Sequence, residues 1–407
     1  MVQDPGLRWY LTSSACFIVP GGIQMVLFPW LVAVFLHESP ARVGLAQSAS
    51  QLPMLLLILW GGFIGDRVDQ RRLLFGLQYG MVLPPLVMAV LVFKDLIIYE
   101  LLLGWAFVGG CFAAFAQPAR DALLNRVAGR EIQRVVIMAV GVQFGVQIIG
   151  FGIGSTAESI GPGTLMLLQA LFMLAAALAT QRIPVLPPAP PRERRHPLRE
   201  IGEGLAVSWR SEAIRPSILL TFSVGMFFAG TFMVVLPLMV RDVYLGSSGA
   251  IALAFVANMA GTCTTIVWLM RRGGTERPGR ALLLGGVTSS AILSLLYLDL
   301  PLWAFYVIIY FWGMCGGISM TMSRSIVQEA SPDSHRARVL SVYSLGMMGG
   351  MPIGSIVLGW CVGQFGARNA VLVPVFGMLA VQVLLLTRSK LWHVRRLIAQ
   401  QQAAAAS

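Results

Sequence analysis

The chain has 407 residues, 57% hydrophobic and only 12% charged, with a mean hydropathy of +0.75 and a formal net charge of +12. Soluble domains carry roughly 25% charged residues, so this composition excludes an ordinary water-soluble enzyme or binding domain and points to a chain built for lipid. Its five cysteines (Cys16, Cys111, Cys263, Cys315 and Cys361) form no C-x-x-C pair and lie in apolar stretches, which leaves them as small buried hydrophobes.

Apolar runs of about 20 residues can cross a hydrocarbon core of roughly 30 Å as helices. Twelve are predicted, near 10–36, 43–64, 73–93, 96–117, 135–157, 163–181, 216–240, 249–270, 281–298, 302–323, 339–362 and 370–387. The first is longer than the roughly 7–15-residue core of a cleavable signal and has only Arg8 before it among basic residues, so it is read as a retained helix. After the sixth run the rhythm of short loops breaks. Pro184, Pro187, Pro188, Pro190 and Pro191 favour extended chain, and Arg192, Arg194 and Arg195 suit a membrane surface. From Pro197 an amphipathic helix is predicted, with Leu198, Ile201, Leu205 and Trp209 on one face and Arg199, Glu200, Glu203, Arg210 and Glu212 around the rest. The expected architecture is therefore all-α: a six-helix half at 1–181, a linker at 182–215, a second six-helix half at 216–387 and a tail at 388–407.

The basic charge is distributed by loop. Arg42, Lys94, Arg241 and Arg368 fall in one alternate set of loops, and the other 26 Lys and Arg residues fall in the opposite set. That asymmetry is the positive-inside pattern; it predicts both termini in the cytoplasm and an inner-membrane protein, and accounts for the charge without nucleic acid.

The halves resemble each other. Ala119–Arg134 aligns without gaps to Ser323–Arg338, pairing Arg120 with Arg324 and Arg134 with Arg338, and the same offset pairs Gly145 with Gly349 and Gly150 with Gly354. Trp60–Arg72 aligns likewise with Trp268–Arg280, although the second copy lacks the acidic centre. Two in-register pairings at matching positions indicate an internal duplication, the architecture of many secondary transporters.

Between the second and third runs lies Gly62-Phe63-Ile64-Gly65-Asp66-Arg67-Val68-Asp69-Gln70-Arg71-Arg72. Glycine permits a close, sharp turn, a carboxylate can cap a helix N-terminus, and Arg67, Arg71 and Arg72 can pair with Asp66, Asp69, Asp121 or lipid phosphates. This loop resembles the signature of the major facilitator superfamily, roughly G-x-L-A-D-R-x-G-R-K, with Asp69 where the second glycine is usual. Pro118-Ala119-Arg120-Asp121-Ala122-Leu123-Leu124, Gln328–Asp333, Arg336–Tyr343 and Met351–Ser355 with Gly359 resemble the bacterial enterobactin-exporter and macrolide-efflux branch, with Ala337 in place of a glycine. The resemblance implies a monomeric twelve-helix carrier of a small molecule, embedded in lipid, without cofactor or metal. It also implies a gating role for Gly62, Gly65, Asp66, Arg67, Arg71, Arg72, Asp121 and Arg338.

The predicted membrane interior carries few ionisable groups. The acidic residues fall in loops or near helix ends, and His37, His196, His335 and His393 lie outside the runs. Intramembrane ionisable groups are costly and usually functional. Glu100 and Glu158 are the coupling candidates, with an interfacial role as the alternative for each. Neutral Gln24, Gln143, Gln147 and Asn258 line a cavity or bond between helices, and Phe28, Trp105, Phe227 and Tyr310 stack on a bulky solute or pack. Their choice rests partly on the helices that line the cavity in the resembled family. Small-xxx-small pairs, Gly150/Gly154 and Gly350/Gly354 among them, are expected at helix contacts.

These residues imply an exporter of a bulky amphipathic solute, siderophore or drug-like, driven by protons. A proton-independent facilitator or importer of a small metabolite or lipid is the alternative. An intramembrane enzyme or sensor is more remote, because no run holds clustered metal ligands or a nucleophile beside a base. The run Gly150-Phe151-Gly152-Ile153-Gly154-Ser155 lacks the proline of a drug-antiporter element, which weighs against a conventional drug/proton antiporter.

Overall fold

The computed structural model describes residues 5–65, 68–128, 132–184, 197–272, 275–332 and 335–394. Every regular element among them is helical. The helices are α1 (Pro5–Trp30), α2 (Pro40–Gly65), α3 (Gln70–Gly80), α4 (Leu83–Phe93), α5 (Tyr99–Ala128), α6 (Ile132–Gly154), α7 (Ala157–Ile160) and α8 (Pro162–Gln181). There follow α9 (Pro197–Arg210), α10 (Ile214–Ser223), α11 (Leu236–Asp242), α12 (Ser248–Arg271), α13 (Pro278–Ser294), α14 (Leu302–Ala330), α15 (Arg336–Ala370) and α16 (Leu372–Arg388).

Among the described residues nine helical stretches are long and apolar enough to cross a membrane, and Met138–Gly154 and Leu372–Arg388 are shorter apolar helices. Several stretches run through irregular turns: α1 continues as a π-helix over Leu31–Phe35, and α10 reaches α11 through π segments at Val224–Ala229 and Thr231–Val235. Pro20, Pro29, Pro53, Pro118 and Pro352 sit inside helices, which lipid tolerates because neighbouring turns and helices satisfy the carbonyls they free. Apart from α3 and α9, which carry charged faces, the helices are largely apolar; Leu171, Phe376 and Trp303 face outward, as lipid-exposed surfaces require.

The chain divides into two compact units, Met1–Arg194 with Gly246–Ala252, and Arg195–Leu245 with Leu253–Ser407. Inside the first, α1 packs on α6 where two glycines meet. A Cβ on Gly22 would sit 2.9 Å from the Gly150 Cα, and one on Gly154 would sit 3.0 Å from the Val26 Cβ. The second unit repeats the device: Gly350 backs onto the Phe222 carbonyl and Gly354 onto that of Met226. Close backbone approach of this kind gains van der Waals contact where lipid removes the hydrophobic drive. Gly141 and Gly145, by contrast, have open space where a side chain would be.

The units also share a backbone mark. Gly161 (φ 82°, ψ 149°) precedes α8, and Gly366 (φ 78°, ψ 158°) breaks α15 into two helices laid end to end. Both conformations disfavour any residue with a Cβ.

Candidate functional site

The signature loop is bracketed by described residues. Gly62 and Gly65 close α2, whereas Asp66 and Arg67 lie outside the described residues. Asp69, the residue in place of the usual glycine, is the N-cap of α3: its Oδ1 accepts the Arg72 N–H at 3.0 Å. Arg71 reaches across to α8, donating to the Thr180 and Gln181 carbonyls at the helix C-terminus, where a cation meets the negative end of the dipole. Arg72 contributes its backbone N–H to the Asp69 cap. Asp121 accepts from the Gln117 amide at 3.2 and 3.3 Å, and Arg120 donates to Gln117 Oε1 at 2.9 Å while its guanidinium lies 5.1 Å from the centre of the Phe17 ring. Arg338 pairs with Glu203 of α9 at 2.7 Å.

Beside this loop is a polar cluster that sequence reasoning missed. Ser13 of α1, Gln78 of α3 and Thr180 of α8 are buried and joined by contacts of 2.6, 2.7 and 3.1 Å. Each hydroxyl both accepts and donates. Gln78 Nε2 donates to Ser13, the Thr180 hydroxyl donates to Gln78 Oε1, and the Ser13 proton is therefore left for Thr180. The three bonds run one way around a closed ring. Tyr10 adds a bond from its hydroxyl to the Arg120 carbonyl at 3.2 Å.

The neutral residues expected to line a cavity fall in both units, Gln24, Gln143 and Gln147 in the first and Asn258 in the second. Gln24 accepts from Gln169 Nε2 at 3.2 Å, and Gln147 donates to the Met25 thioether at 3.1 Å, so each takes part in a bond between helices of the first unit. Gln143 is exposed. Phe28 and Trp105 are both buried and meet edge to face, with ring centres 6.1 Å apart. In the second unit the Phe227 ring lies over Gly377, where an added Cβ would sit 2.5 Å from it. Asn258 approaches the Ile309 carbonyl at 3.5 Å, and the Tyr310 hydroxyl donates to Thr264 at 3.0 Å.

The two carboxylates considered for coupling sit at helix ends. Glu100, in the first turn of α5, has its side chain 65% exposed and lies 3.7 Å from Arg42, which also holds Glu38 at 2.8 Å. Glu158 accepts from two donors through one oxygen: Trp30 Nε1 at 3.1 Å and the backbone N–H of Ser248 at 3.1 Å. Ser248 begins α12 and belongs to the first unit with its neighbours Gly246–Ala252. Glu158 therefore caps a helix N-terminus, where a carboxylate meets the positive end of the dipole. Ser248 adds a hydroxyl bond to the Ser155 carbonyl at 2.9 Å. Glu158 is held by two donors and Glu100 lies within ion-pair range of Arg42, and neither is in the middle of a long apolar stretch.

Comparison with known proteins agrees with this architecture. The profile of the family described as transmembrane secretion effector (MFS_3) matches residues 8–405. The enterobactin exporter EntS of Escherichia coli O1:K1 is 24% identical over 403 residues, covering 94% of this chain and 91% of its own length. The Staphyloferrin A transporter of Staphylococcus aureus is 22% identical over 399 residues, covering 93% and 94%. Among solved structures, a variant of the nucleoside transporter NupG superposes with a TM-score of 0.73 at 14% identity, covering 94% of this chain and 99% of that one. A bacterial homologue of the human lysosomal transporter Spinster gives 0.67 at 13%, covering 95% of both. A match spanning nearly the whole chain decides membership: the protein is a multi-pass membrane transporter of the transmembrane secretion effector family, within the major facilitator superfamily, and not an enzyme.

Proposed function

We propose that the protein is an exporter of a bulky amphipathic solute, siderophore or drug-like, working by alternating access in a bacterial inner membrane with twelve spanning helices in two related halves. The observation that carries this reading is the end-to-end likeness to two transporters named for siderophores, one of them an exporter. The chemistry of the described helices accords with it. Candidate solute-facing groups are neutral amides and aromatic rings (Gln143, Asn258, Phe227 and Tyr310), which suit a large, partly apolar solute better than a small anion. Accumulation of a labelled siderophore or dye inside cells lacking the gene, reversed by restoring it, tests the reading. Unchanged efflux across a broad solute panel overturns it.

A second reading, transport without protons, rests on one observation: Glu100 and Glu158 are both engaged at helix ends. Efflux that persists when the proton gradient is collapsed favours it.

Asp66 is proposed as the gating carboxylate and Glu100 as the coupling one. Asp66 has its physical support in its neighbours, since Asp69 and Arg71 tie the loop to α3 and α8. Asp66→Asn and Glu100→Gln test the pair. Transport that survives both changes at normal expression removes both assignments.

A further inference from the structure

α9 is held to the protein by its small and polar face, and its apolar face points away. Gly204 lies so close to α15 that an added Cβ would sit 2.8 Å from the Arg338 carbonyl oxygen. Glu203 holds the Arg338 guanidinium at 2.7 Å, Ser208 is buried, and Val207 packs against Ile214, Val327, Val339 and Tyr343. On the other side, Leu205 and Trp209, one turn apart, are 47% and 57% exposed. Gly202 and Ala206 are exposed beside them. Leu198 and Ile201, which share their stripe in the sequence, lie outside the described side chains.

Exposure of this kind in water forgoes much of the hydrophobic stabilisation that burying a large apolar side chain supplies. The Gly204 and Ser208 contacts leave the helix no freedom to roll its apolar stripe inward. Its position supplies an occupant. Trp209 stands five residues before Ile214, the first residue of an apolar stretch long enough to span, so its ring lies near the level where tryptophan prefers the lipid–water boundary.

Charge supplies the second argument. Glu203 and Glu212 are neutralised by Arg338 and Lys390, while Arg210 and Arg215 are exposed. The sequence adds Arg192, Arg194 and Arg195 against Glu193 just ahead of α9, and Arg199 against Glu200 in its first turn. Basic groups near an anionic leaflet are attracted to its negative surface potential.

We propose that α9 lies in the headgroup layer of the anionic cytoplasmic leaflet, with Leu205 and Trp209 in the acyl boundary and Arg210 and Arg215 on lipid phosphates. Through the Glu203–Arg338 pair it fastens the first turn of α15 to that surface. The partner is the bilayer itself, recognised by an apolar stripe flanked with arginine.

The test places a nitroxide on the full chain in phosphatidylglycerol-containing nanodiscs, with the five native cysteines replaced, using Leu205→Cys, Trp209→Cys and, as a water-facing reference, Glu212→Cys. Leu205→Cys keeps the tryptophan anchor and guards against an effect of its loss. The expected result is collision with oxygen exceeding collision with a water-soluble nickel chelate several-fold at 205 and 209, reversed at 212. In discs of phosphatidylcholine alone, both stripe positions should move toward water. Water-like collision at 205 and 209 in the anionic discs overturns the proposal, and equal depth in the two lipids overturns its charge component. A label frozen and shielded from both reagents would place a protein or a second copy on the stripe, and that also overturns it.

Discussion

The closed ring of Ser13, Gln78 and Thr180 makes a quantitative prediction. Gln78→Leu keeps the volume close to that of the amide but removes the bonds at 3.1 and 2.7 Å. The remaining 2.6 Å contact between Ser13 and Thr180 can persist, so neither hydroxyl is wholly abandoned. Side-chain hydrogen bonds in membrane helices average about 0.6 kcal/mol, with a maximum near 1.7. Two such bonds put the expected cost of Gln78→Leu at about 1–3 kcal/mol. Thr180→Val removes the donor to Gln78 and the acceptor for Ser13, at a similar cost. A ring broken at one member should make the second break cheap. The double variant is therefore expected to cost about 1 kcal/mol less than the sum of the singles, in the range found for coupled neighbours. Equilibrium unfolding of the purified protein in mixed detergent, run as a double-mutant cycle, measures this directly. Additive losses, or a Gln78→Leu protein as stable as the parent, would refute the ring.

Other substitutions test separate contacts. Asp69→Ala removes the N-cap of α3 and is expected to cost about 1 kcal/mol in the same unfolding assay, whereas Asp69→Ser should retain most of it. Gly354→Val places a side chain against the Met226 backbone and should abolish the monodisperse peak in size-exclusion chromatography, while Gly141→Ala meets open space and should leave both peak and unfolding temperature intact. Gln382 is fully buried, and among the described residues neither of its amide atoms has a hydrogen-bond partner. Gln382→Met removes that cost and should raise stability by about 1–2 kcal/mol. A loss instead would reveal a bound water or another partner at the amide.

What the sequence made legible was whatever depends on position along the chain. The apolar runs, the extent of α9 from Pro197 and the duplication of glycines at Gly150 and Gly354 all follow from local periodicity or register. What stayed hidden depends on how each helix is turned about its own axis. A soluble helix reveals its inner face through its polar outer one, but most of the spanning helices, α1 and α8 among them, are apolar nearly all round and give no such sign. Ser13, Gln78 and Thr180 are separated by 65, 102 and 167 residues, and no pattern in the chain links them. Gln24 shows the same difficulty: an amide in an apolar run reads equally as cavity lining or as a bond between helices, and the bond to Gln169 emerges only in three dimensions. For α9 the apolar stripe was plain, yet the small residues beside it, Gly204 and Ser208, make the protein contact.

The two units share a left-handed glycine turn and differ in polar chemistry at aligned positions. Gly161 and Gly366 adopt nearly the same left-handed conformation, one residue out of the register that pairs Gly150 with Gly354. The register that pairs Trp60 with Trp268 carries Asp69 onto Arg277 and Gln78 onto Gly286. At the first of these positions the side-chain cap is lost, since Arg277 precedes α13 without capping it. At the second, the amide is supplied by the opposite helix, because Gln382 of α16 presses onto the bare Cα of Gly286. In the first unit the glutamine closes a ring of bonds, while in the second Gln382 has no hydrogen-bond partner among the described residues. A glycine in a strained turn has no substitute, whereas a polar side chain can be replaced by another reaching from a neighbour. Between the aligned segments, therefore, the differences fall on the side chains at the start of α3 and α13. This is the physical reason to assign gating to the loop at Asp66 and not to its copy, which has Gly274 at that position.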